Sequence, residues 1–334
     1  MRTSKSKKSL VTMAFAALLV VLPLACSQQS TGPEGGSESE IVVSNKMPEG
    51  DTAPKGGVLD TLIYLSHVQL VASTCYTDSS DPHYPEIIFV ANDVVKTFAF
   101  VWLPQNWNTF PDQDKRMIVH LHGHCGIGTK HFCKWYELAR SKNIAVLSLQ
   151  YWMGEDEWCG GNPKLEGDYS YYLTGPGETC GWHLNIETDI YPFIDKLMEY
   201  YDVHSVMLHG FSMAAATSAI VDYRDKHNRD IIDFTVFDAG HIDSTHYFYE
   251  EIRASSDPKP FAGEDYYFFL EDIDPDTYTK QAATRAFLID KGATDIETVT
   301  AVDSDYKHGA LLNHDDFLSV RERIVALYDS LSAS

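Results

Sequence analysis

Positive charge is scarce in this sequence. Its 334 residues include 26 lysines and arginines against 48 aspartates and glutamates, which gives a formal net charge of −22. Nucleic acids and anionic membrane surfaces repel a chain of this charge, so we exclude both as partners held by electrostatic attraction. Hydrophobic residues make up 44% and charged residues 22%, which is ordinary for a globular protein with a sizeable core.

The apolar run that opens the chain is too short for a comfortable membrane span. It covers residues 11–24 and follows four basic residues: Arg2, Lys5, Lys7 and Lys8. A positive start, a short apolar run and a small residue, Ala25, are typical of an export signal. The segment before Cys26 resembles the bacterial lipobox. We therefore expect residues 1–25 to be a signal peptide and Cys26 to be acylated, which would anchor an exported protein to the bacterial envelope. Ordinary cleavage near Ala25 is the alternative and would give a periplasmic or extracellular protein.

Cysteine is also sparse, with six in the chain. Export permits disulfides. Cys159 and Cys180 bracket a loop rich in glycine, proline and aromatic residues, and we predict that they pair. Cys125 with Cys133 is a second candidate pair. Without Cys26 the count is odd, which leaves at least one thiol free, and spacing alone does not fix the connectivity.

The chain lacks internal repeats and divides into a tether and one domain. Residues 26–57 are polar and rich in Ser, Gly, Glu and Pro, which predicts a flexible tether. Residues 58–334 form the predicted domain. It begins with antiparallel strand candidates at 61–73, 86–90 and 97–103. Strand and helix candidates then alternate along the chain: 117–121, 130–141, 144–150, 186–201, 205–208, 213–226, 231–237, 266–270, 277–291, 296–302 and 315–331. Apolar runs separated by helices predict a mostly parallel, twisted sheet with antiparallel leading strands and helices on both faces.

The strongest motif is Gly-Phe-Ser-Met-Ala at residues 210–214, between a predicted strand and a predicted helix. A serine on such a tight turn is exposed as a nucleophile, and its neighbours two residues away must be small. Gly210 meets that requirement, and Ala214 replaces the more usual glycine. We predict that Ser212 is the nucleophile. The alternative is a serine that only caps the helix. The Met213 N–H, at the positive end of the helix, is the expected oxyanion donor.

A second motif, a His-Gly turn, ends the predicted strand at 117–121. Three histidines alternate there: His120, His122 and His124. Alternating histidines could face one way on a strand and bind a metal. The dinuclear metallohydrolase pattern His-x-His-x-Asp-His is absent, however, so we predict no metal site.

Together these residues resemble the α/β-hydrolase superfamily across roughly residues 95–332. Within it, the chain is similar to secreted feruloyl esterases and polyhydroxybutyrate depolymerases. The hints are a strand that ends in Leu103-Pro104, the Leu-His-Gly strand end and the Gly-Phe-Ser-Met turn. The resemblance implies an α/β-hydrolase fold and hydrolysis of a small-molecule or polymeric ester without a cofactor. It also implies that the second oxyanion N–H comes from the residue after His-Gly, which is His124.

Triad order on this fold is Ser, then Asp or Glu, then His. Asp274 follows the predicted strand 266–270 in an Asp-Pro pair, as the acid of the superfamily often does, and Asp272 is the fallback. Asp295 would require a strand at 286–289, which leaves too few residues before His308. We predict that His308, on the loop after the last strand, is the base.

The expected function is hydrolysis of carboxylic esters through an acyl-enzyme on Ser212. The aromatic segment 151–184 follows a strand at the edge where active-site loops gather. It could line a substrate pocket through Trp152 and Trp182, or form only a surface loop. A serine peptidase of the same fold, and a binding protein that has lost catalysis, are the alternatives.

Overall fold

The computed structural model describes residues 42–44, 88–92, 97–123, 128–150, 190–242, 247–302, 306 and 308–332. All of them belong to one compact unit, Ser37–Ser334. The predicted signal peptide, Cys26, the strand candidate at 61–73 and the segment 151–184 lie outside the described residues. Among the described helices, none is both long and apolar enough to cross a membrane.

Nine described strands form one sheet in the order β1-β2-β3-β5-β4-β6-β7-β8-β9. The strands are β1 (Val42–Ser44), β2 (Ile88–Asn92), β3 (Thr97–Trp102), β4 (Arg116–Leu121), β5 (Ala145–Gln150), β6 (Ser205–Phe211), β7 (Ile232–Asp238), β8 (Asp265–Glu271) and β9 (Thr294–Ala301). Strands β1 to β3 pair antiparallel with one another and β3 pairs antiparallel with β5. All other pairings are parallel. The predicted sheet, mostly parallel with antiparallel leading strands, is confirmed.

Helices cover both faces of this sheet, as predicted. The described α-helices are α1 (Gly128–Ala139), α2 (Tyr191–Tyr200), α3 (Met213–Lys226), α4 (Tyr247–Ala254), α5 (Pro275–Asp290), α6 (Ala310–Asn313) and α7 (Leu318–Leu331). Buried side chains of α2, α3, α4 and α5 pack in one core layer, and those of α1, α6 and α7 pack in the other. We call the second face the α1/α7 face.

Alternation along the strands decides which side chains reach each layer. On β8, Tyr266, Phe268 and Leu270 belong to the first layer. Tyr267 and Phe269 belong to the α1/α7 face. Because successive side chains of a strand point to opposite faces, the next odd position on β8, residue 271, also lies on the α1/α7 face. The alternation of side chains along β8 therefore directs residue 271 to this face.

Several elements differ from the sequence expectations, among them the helices α4 and α6, which were not predicted. Strand β1 lies inside the predicted tether and pairs with β2, so the prediction of a flexible tether is wrong for these three residues. The predicted final helix begins with a short 3₁₀ turn, Asp315–Phe317, before α7. The rejected strand at 286–289 lies within α5.

Candidate active site

Ser212 lies in a strained turn between β6 and α3. Its backbone has φ 58° and ψ −121°, a conformation that costs free energy in a non-glycine residue. The turn is held from outside, because the Ser212 N–H donates to the Asp238 carbonyl at 2.7 Å. Ser212 is half-buried and lies between a strand and a helix, as the sequence predicted.

Small residues allow this turn to pack. A Cβ on Gly210 would lie 2.2 Å from the Ala214 carbonyl oxygen, and a Cβ on Gly240 would lie 2.1 Å from the Ser212 carbonyl oxygen. Real Cβ atoms do not approach backbone so closely, so both positions require glycine. Ala214 is fully buried, and the turn accommodates its methyl group.

The His-Gly turn lies directly beside the nucleophile. A Cβ on Gly123 would come within 2.8 Å of the Ser212 Cβ and 2.9 Å of the Phe211 carbonyl oxygen. Residues 124–127 are outside the described part of the chain, and His124 is one of them. The approach of Gly123 places the end of the described turn where an oxyanion loop is expected. The role of His124 itself remains a prediction.

His308 bridges the nucleophile and an acid. Its Nε2 lies 2.6 Å from Ser212 Oγ, and its Nδ1 lies 2.7 Å from Glu271 Oε2. The imidazole packs against the Phe211 ring at a centroid distance of 4.8 Å. Gly309 follows with φ 94°, a left-handed conformation that glycine adopts without cost and that starts α6 just after His308. The structure thus brings Ser212 and His308 together, as the sequence predicted.

The acid in contact with His308 is Glu271, so the prediction of Asp274 is wrong in this geometry. Asp274 instead caps α5: its exposed carboxylate accepts from the N–H groups of Asp276 and Thr277. The Thr277 N–H is the main reason that the pKa of Asp274 lies below its ordinary value. The fallback, Asp272, does not supply the partner either, because both ring nitrogens of His308 are bound by Ser212 and Glu271.

Glu271 is almost completely buried, with 1% of its side chain exposed, and both of its carboxylate oxygens are hydrogen-bonded. Oε2 faces His308, and Oε1 accepts from the N–H groups of Gly309 and Ala310 at 2.9 and 2.6 Å. A buried carboxylate needs such partners because desolvation is costly. The same groups orient the residues that follow His308, so Glu271 fixes both the imidazole and its loop.

Glu271 was missed at the sequence level, although a signal existed. It is a charged residue that directly continues the apolar run 266–270, and its odd position places it on the α1/α7 face with Phe269. An aspartate followed by proline is, conversely, typical of a helix start, with Asp as N-cap and Pro at the first position.

The other predicted site residues divide into described and undescribed ones. Met213 is the first residue of α3, and N–H groups at a helix start have no acceptor within the helix. Trp152, Trp182, Cys159 and Cys180 lie outside the described residues, so their roles stay predictions. Cys133 is disulfide-bonded, and Cys125, its candidate partner in the sequence analysis, lies outside the described residues.

The described histidines of the His-Gly strand, His120 and His122, are engaged in hydrogen bonds. His120 Nδ1 lies 2.7 Å from His209 Nδ1, and His122 Nδ1 lies 2.8 Å from the Gly123 carbonyl oxygen. In the described residues only one group brings three potential ligand atoms together: Asp112, Asp202 and His204. That group is exposed, and the Lys115 ammonium contacts both of its carboxylates.

Comparison with solved structures identifies the fold. An ester hydrolase from the metagenome of Lake Arreo, complexed with a bipyridine phosphonate derivative, is 14% identical with a TM-score of 0.52, covering 84% of this chain and 94% of its own. A bacterial heroin esterase is 11% identical with a TM-score of 0.52, covering 81% and 91%. The chain has the α/β-hydrolase fold.

A further α/β-hydrolase neighbour is Est1E from Butyrivibrio proteoclasticus with bound ferulic acid, at 14% identity and a TM-score of 0.47, covering 74% of this chain and 99% of its own. No protein-family profile matches the sequence, and no curated protein matches it significantly. The structural neighbours named here are ester hydrolases, and at these identities the likeness establishes the fold alone.

Proposed function

We propose that this protein is an exported serine hydrolase that cleaves carboxylic esters through a triad of Ser212, His308 and Glu271. One observation carries the proposal: the His308 ring joins Ser212 Oγ at 2.6 Å and Glu271 Oε2 at 2.7 Å. A serine, a histidine and a buried acid in this order are the groups that activate a hydroxyl as a nucleophile.

The first half of the reaction follows from these contacts. Ser212 Oγ attacks the ester carbonyl while His308 Nε2 takes its proton, so the new C–O bond forms as the carbonyl electrons move to oxygen. The Met213 N–H, with the His124 N–H as the expected second donor, stabilises the oxyanion. The protonated His308 then gives its proton to the alcohol as the old C–O bond breaks, which leaves Ser212 acylated. Water hydrolyses the acyl-enzyme by the same proton transfers in reverse order.

Glu271 has two roles in this scheme. By accepting the Nδ1–H of His308 it holds the tautomer whose Nε2 lone pair faces Ser212, and its negative charge stabilises the imidazolium that forms. The chemistry needs no cofactor. Export, acylation of Cys26 and an aromatic substrate wall at Trp152 and Trp182 remain parts of the proposal that rest on the sequence.

The test is Ser212→Ala assayed with p-nitrophenyl acetate. Loss of the nucleophile is expected to lower kcat by a factor of about 10³ or more. Ser205→Ala is the matched control: Ser205 lies at the other end of β6 and bonds the Tyr328 hydroxyl, so its loss is expected to leave turnover intact. Both variants are checked for folding by circular dichroism.

Unchanged turnover in a folded Ser212→Ala protein would refute the proposal. A wild-type protein that cleaves peptide p-nitroanilides but no ester would support the peptidase alternative. Once ester cleavage is established, acetylated, feruloylated and polyester substrates separate the ester classes.

A further inference from the structure

A row of buried polar side chains crosses the sheet beneath the triad. His120 on β4, His209 on β6 and Asp238 on β7 are each fully buried. On each strand, the residue two positions earlier packs on the α1/α7 face: Ile118, Met207 and Val236. Residues two positions apart on a strand point to the same face. His120 and His209 are also direct partners in the β4–β6 register. The three side chains therefore lie side by side on the face that carries Glu271.

These side chains are linked by hydrogen bonds. His120 Nδ1 lies 2.7 Å from His209 Nδ1, and His209 Nε2 lies 3.2 Å from Asp238 Oδ2. The two imidazoles stack at a centroid distance of 4.9 Å. The link thus joins three adjacent strands at the carboxyl ends where the nucleophile turn begins.

Asp238 is attached to this turn by its backbone as well. Its carbonyl accepts the Ser212 N–H at 2.7 Å, and the following Ala239, with φ 53°, donates its N–H to the Phe269 carbonyl at 2.8 Å. Gly240 then packs against the Ser212 backbone. Any displacement of Asp238 is therefore transmitted to Ser212 through two contacts.

From this geometry we propose that His209 and Asp238 form a side-chain clamp that positions the strained Ser212 turn for reaction, with His120 holding the His209 ring in place. The inference rests on the proposed function, because it concerns the rate at which Ser212 reacts. A strained backbone persists only when its surroundings over-determine it, and the clamp supplies that constraint where the β6–β7 ladder ends.

The charges of the row suit a positioning role. Burial raises the pKa of Asp238 well above its ordinary value, and the nearby Glu271 carboxylate adds to the shift. Burial likewise lowers the pKa of His209 and of His120. Both shifts favour the uncharged forms of Asp238 and His209, whereas the Glu271 carboxylate has three hydrogen-bond partners against one for Asp238. The two buried carboxyl groups have different tasks.

The test compares His209→Phe with Asp238→Asn in the full-length chain. Phenylalanine fills the ring space but removes both hydrogen bonds of the clamp. Because misplacement of a reacting group by about 1 Å can cost about 100-fold in rate, we expect His209→Phe to lower kcat for p-nitrophenyl acetate by about 10- to 100-fold, with KM nearly unchanged. Asparagine keeps the shape and hydrogen-bonding capacity of a neutral Asp238. Asp238→Asn is therefore expected to keep most of the rate that His209→Phe loses.

Tyr328→Phe is the control for general destabilisation. It removes a buried hydrogen bond to Ser205 at the opposite end of β6 and is expected to leave kcat unchanged. The rate at which a p-nitrophenyl phosphonate labels Ser212 gives a second readout that does not require turnover, and it should fall with kcat in His209→Phe.

Three results separate the possibilities. If wild type turns over the ester, Ser212→Ala does not, and a folded His209→Phe keeps the wild-type kcat and labelling rate, the clamp is wrong while the proposed function stands. If Asp238→Asn loses as much rate as His209→Phe, the Asp238 charge is required, and a clamp formed by an uncharged Asp238 is wrong. If wild type neither turns over esters nor reacts with the phosphonate, the proposed function fails and the clamp fails with it.

Discussion

At the scale of single residues, the site depends on which of three nearby acids faces the imidazole. Glu271, Asp272 and Asp274 lie within four positions of one another, and their order along the chain does not decide between them. The direction of each side chain decides between them. Glu271 ends β8 on the α1/α7 face, whereas the Asp274 carboxylate accepts hydrogen bonds from the first N–H groups of α5. Sequence reasoning found Ser212 and His308 from their local motifs. It missed the acid because side-chain direction at a strand end requires knowing where the strand stops.

The two acids give opposite expectations on substitution. Glu271→Gln preserves the shape but removes the charge and the preference for the productive tautomer, so kcat is expected to fall by about 10²- to 10⁴-fold. Asp274→Ala removes a helix cap, which should lower the unfolding midpoint slightly and leave kcat unchanged. Steady-state kinetics and urea titration measure both. A kcat that falls in Asp274→Ala and survives in Glu271→Gln would restore the original assignment.

At the scale of elements, the β6 turn and α3 form the part that the sequence described best. The predicted helix 213–226 matches α3 (Met213–Lys226), because the apolar strand, the small residues and the alanine-rich helix all indicate the same geometry. Val42–Ser44 was missed because three residues in a polar segment carry no periodic signal and become a strand only by pairing with β2. The His120–His209–Asp238 row was missed because its members come from three strands and meet only in the folded sheet.

Gly210 gives a test of how tightly this turn is packed. In Gly210→Ala the new Cβ would overlap the Ala214 carbonyl group, and we expect a loss of about 1–3 kcal/mol in the free energy of unfolding together with a lower kcat. The matched control is Gly263→Ala. Gly263 has φ 96°, and its Cβ would meet only Lys226 Nζ at 3.7 Å, so its cost is backbone strain of about 1–2 kcal/mol with kcat retained. Equal kcat values for the two variants would contradict tight packing at Gly210.

At the scale of the whole molecule, buried acids outside the site set part of the pH dependence of stability. Asp222 is buried on α3 and accepts a hydrogen bond from the Tyr266 hydroxyl. Burial raises its pKa well above the ordinary value of 3.8, and the Glu264 carboxylate adds to the shift. An acid with a raised pKa binds its proton more tightly in the folded than in the unfolded state. Its contribution to stability is therefore complete below 3.8 and is lost as pH rises toward the raised value.

Asp222→Asn removes this loss. We expect the free energy of unfolding of Asp222→Asn to increase relative to that of wild type as pH rises from about 4 to about 8, as measured by urea titration. Asp290→Asn is the control, since the Asp290 side chain is 76% exposed and its replacement should give no comparable trend. A difference between Asp222→Asn and wild type that is constant over this range, or that reverses, would show that Asp222 is ionised in the folded protein.

The whole molecule also brings the reactive groups together from separate places. Ser212 follows β6, Glu271 ends β8 and His308 lies between β9 and α6, and all three meet at the carboxyl ends of parallel strands. Covalent labelling tests this meeting point most directly. After reaction with a p-nitrophenyl phosphonate, peptide mass mapping should show a single adduct on Ser212, formed rapidly in wild type and far more slowly in Glu271→Gln. An adduct on another residue, or a protein that hydrolyses esters yet leaves Ser212 unmodified, would contradict the assignment of Ser212 as the nucleophile.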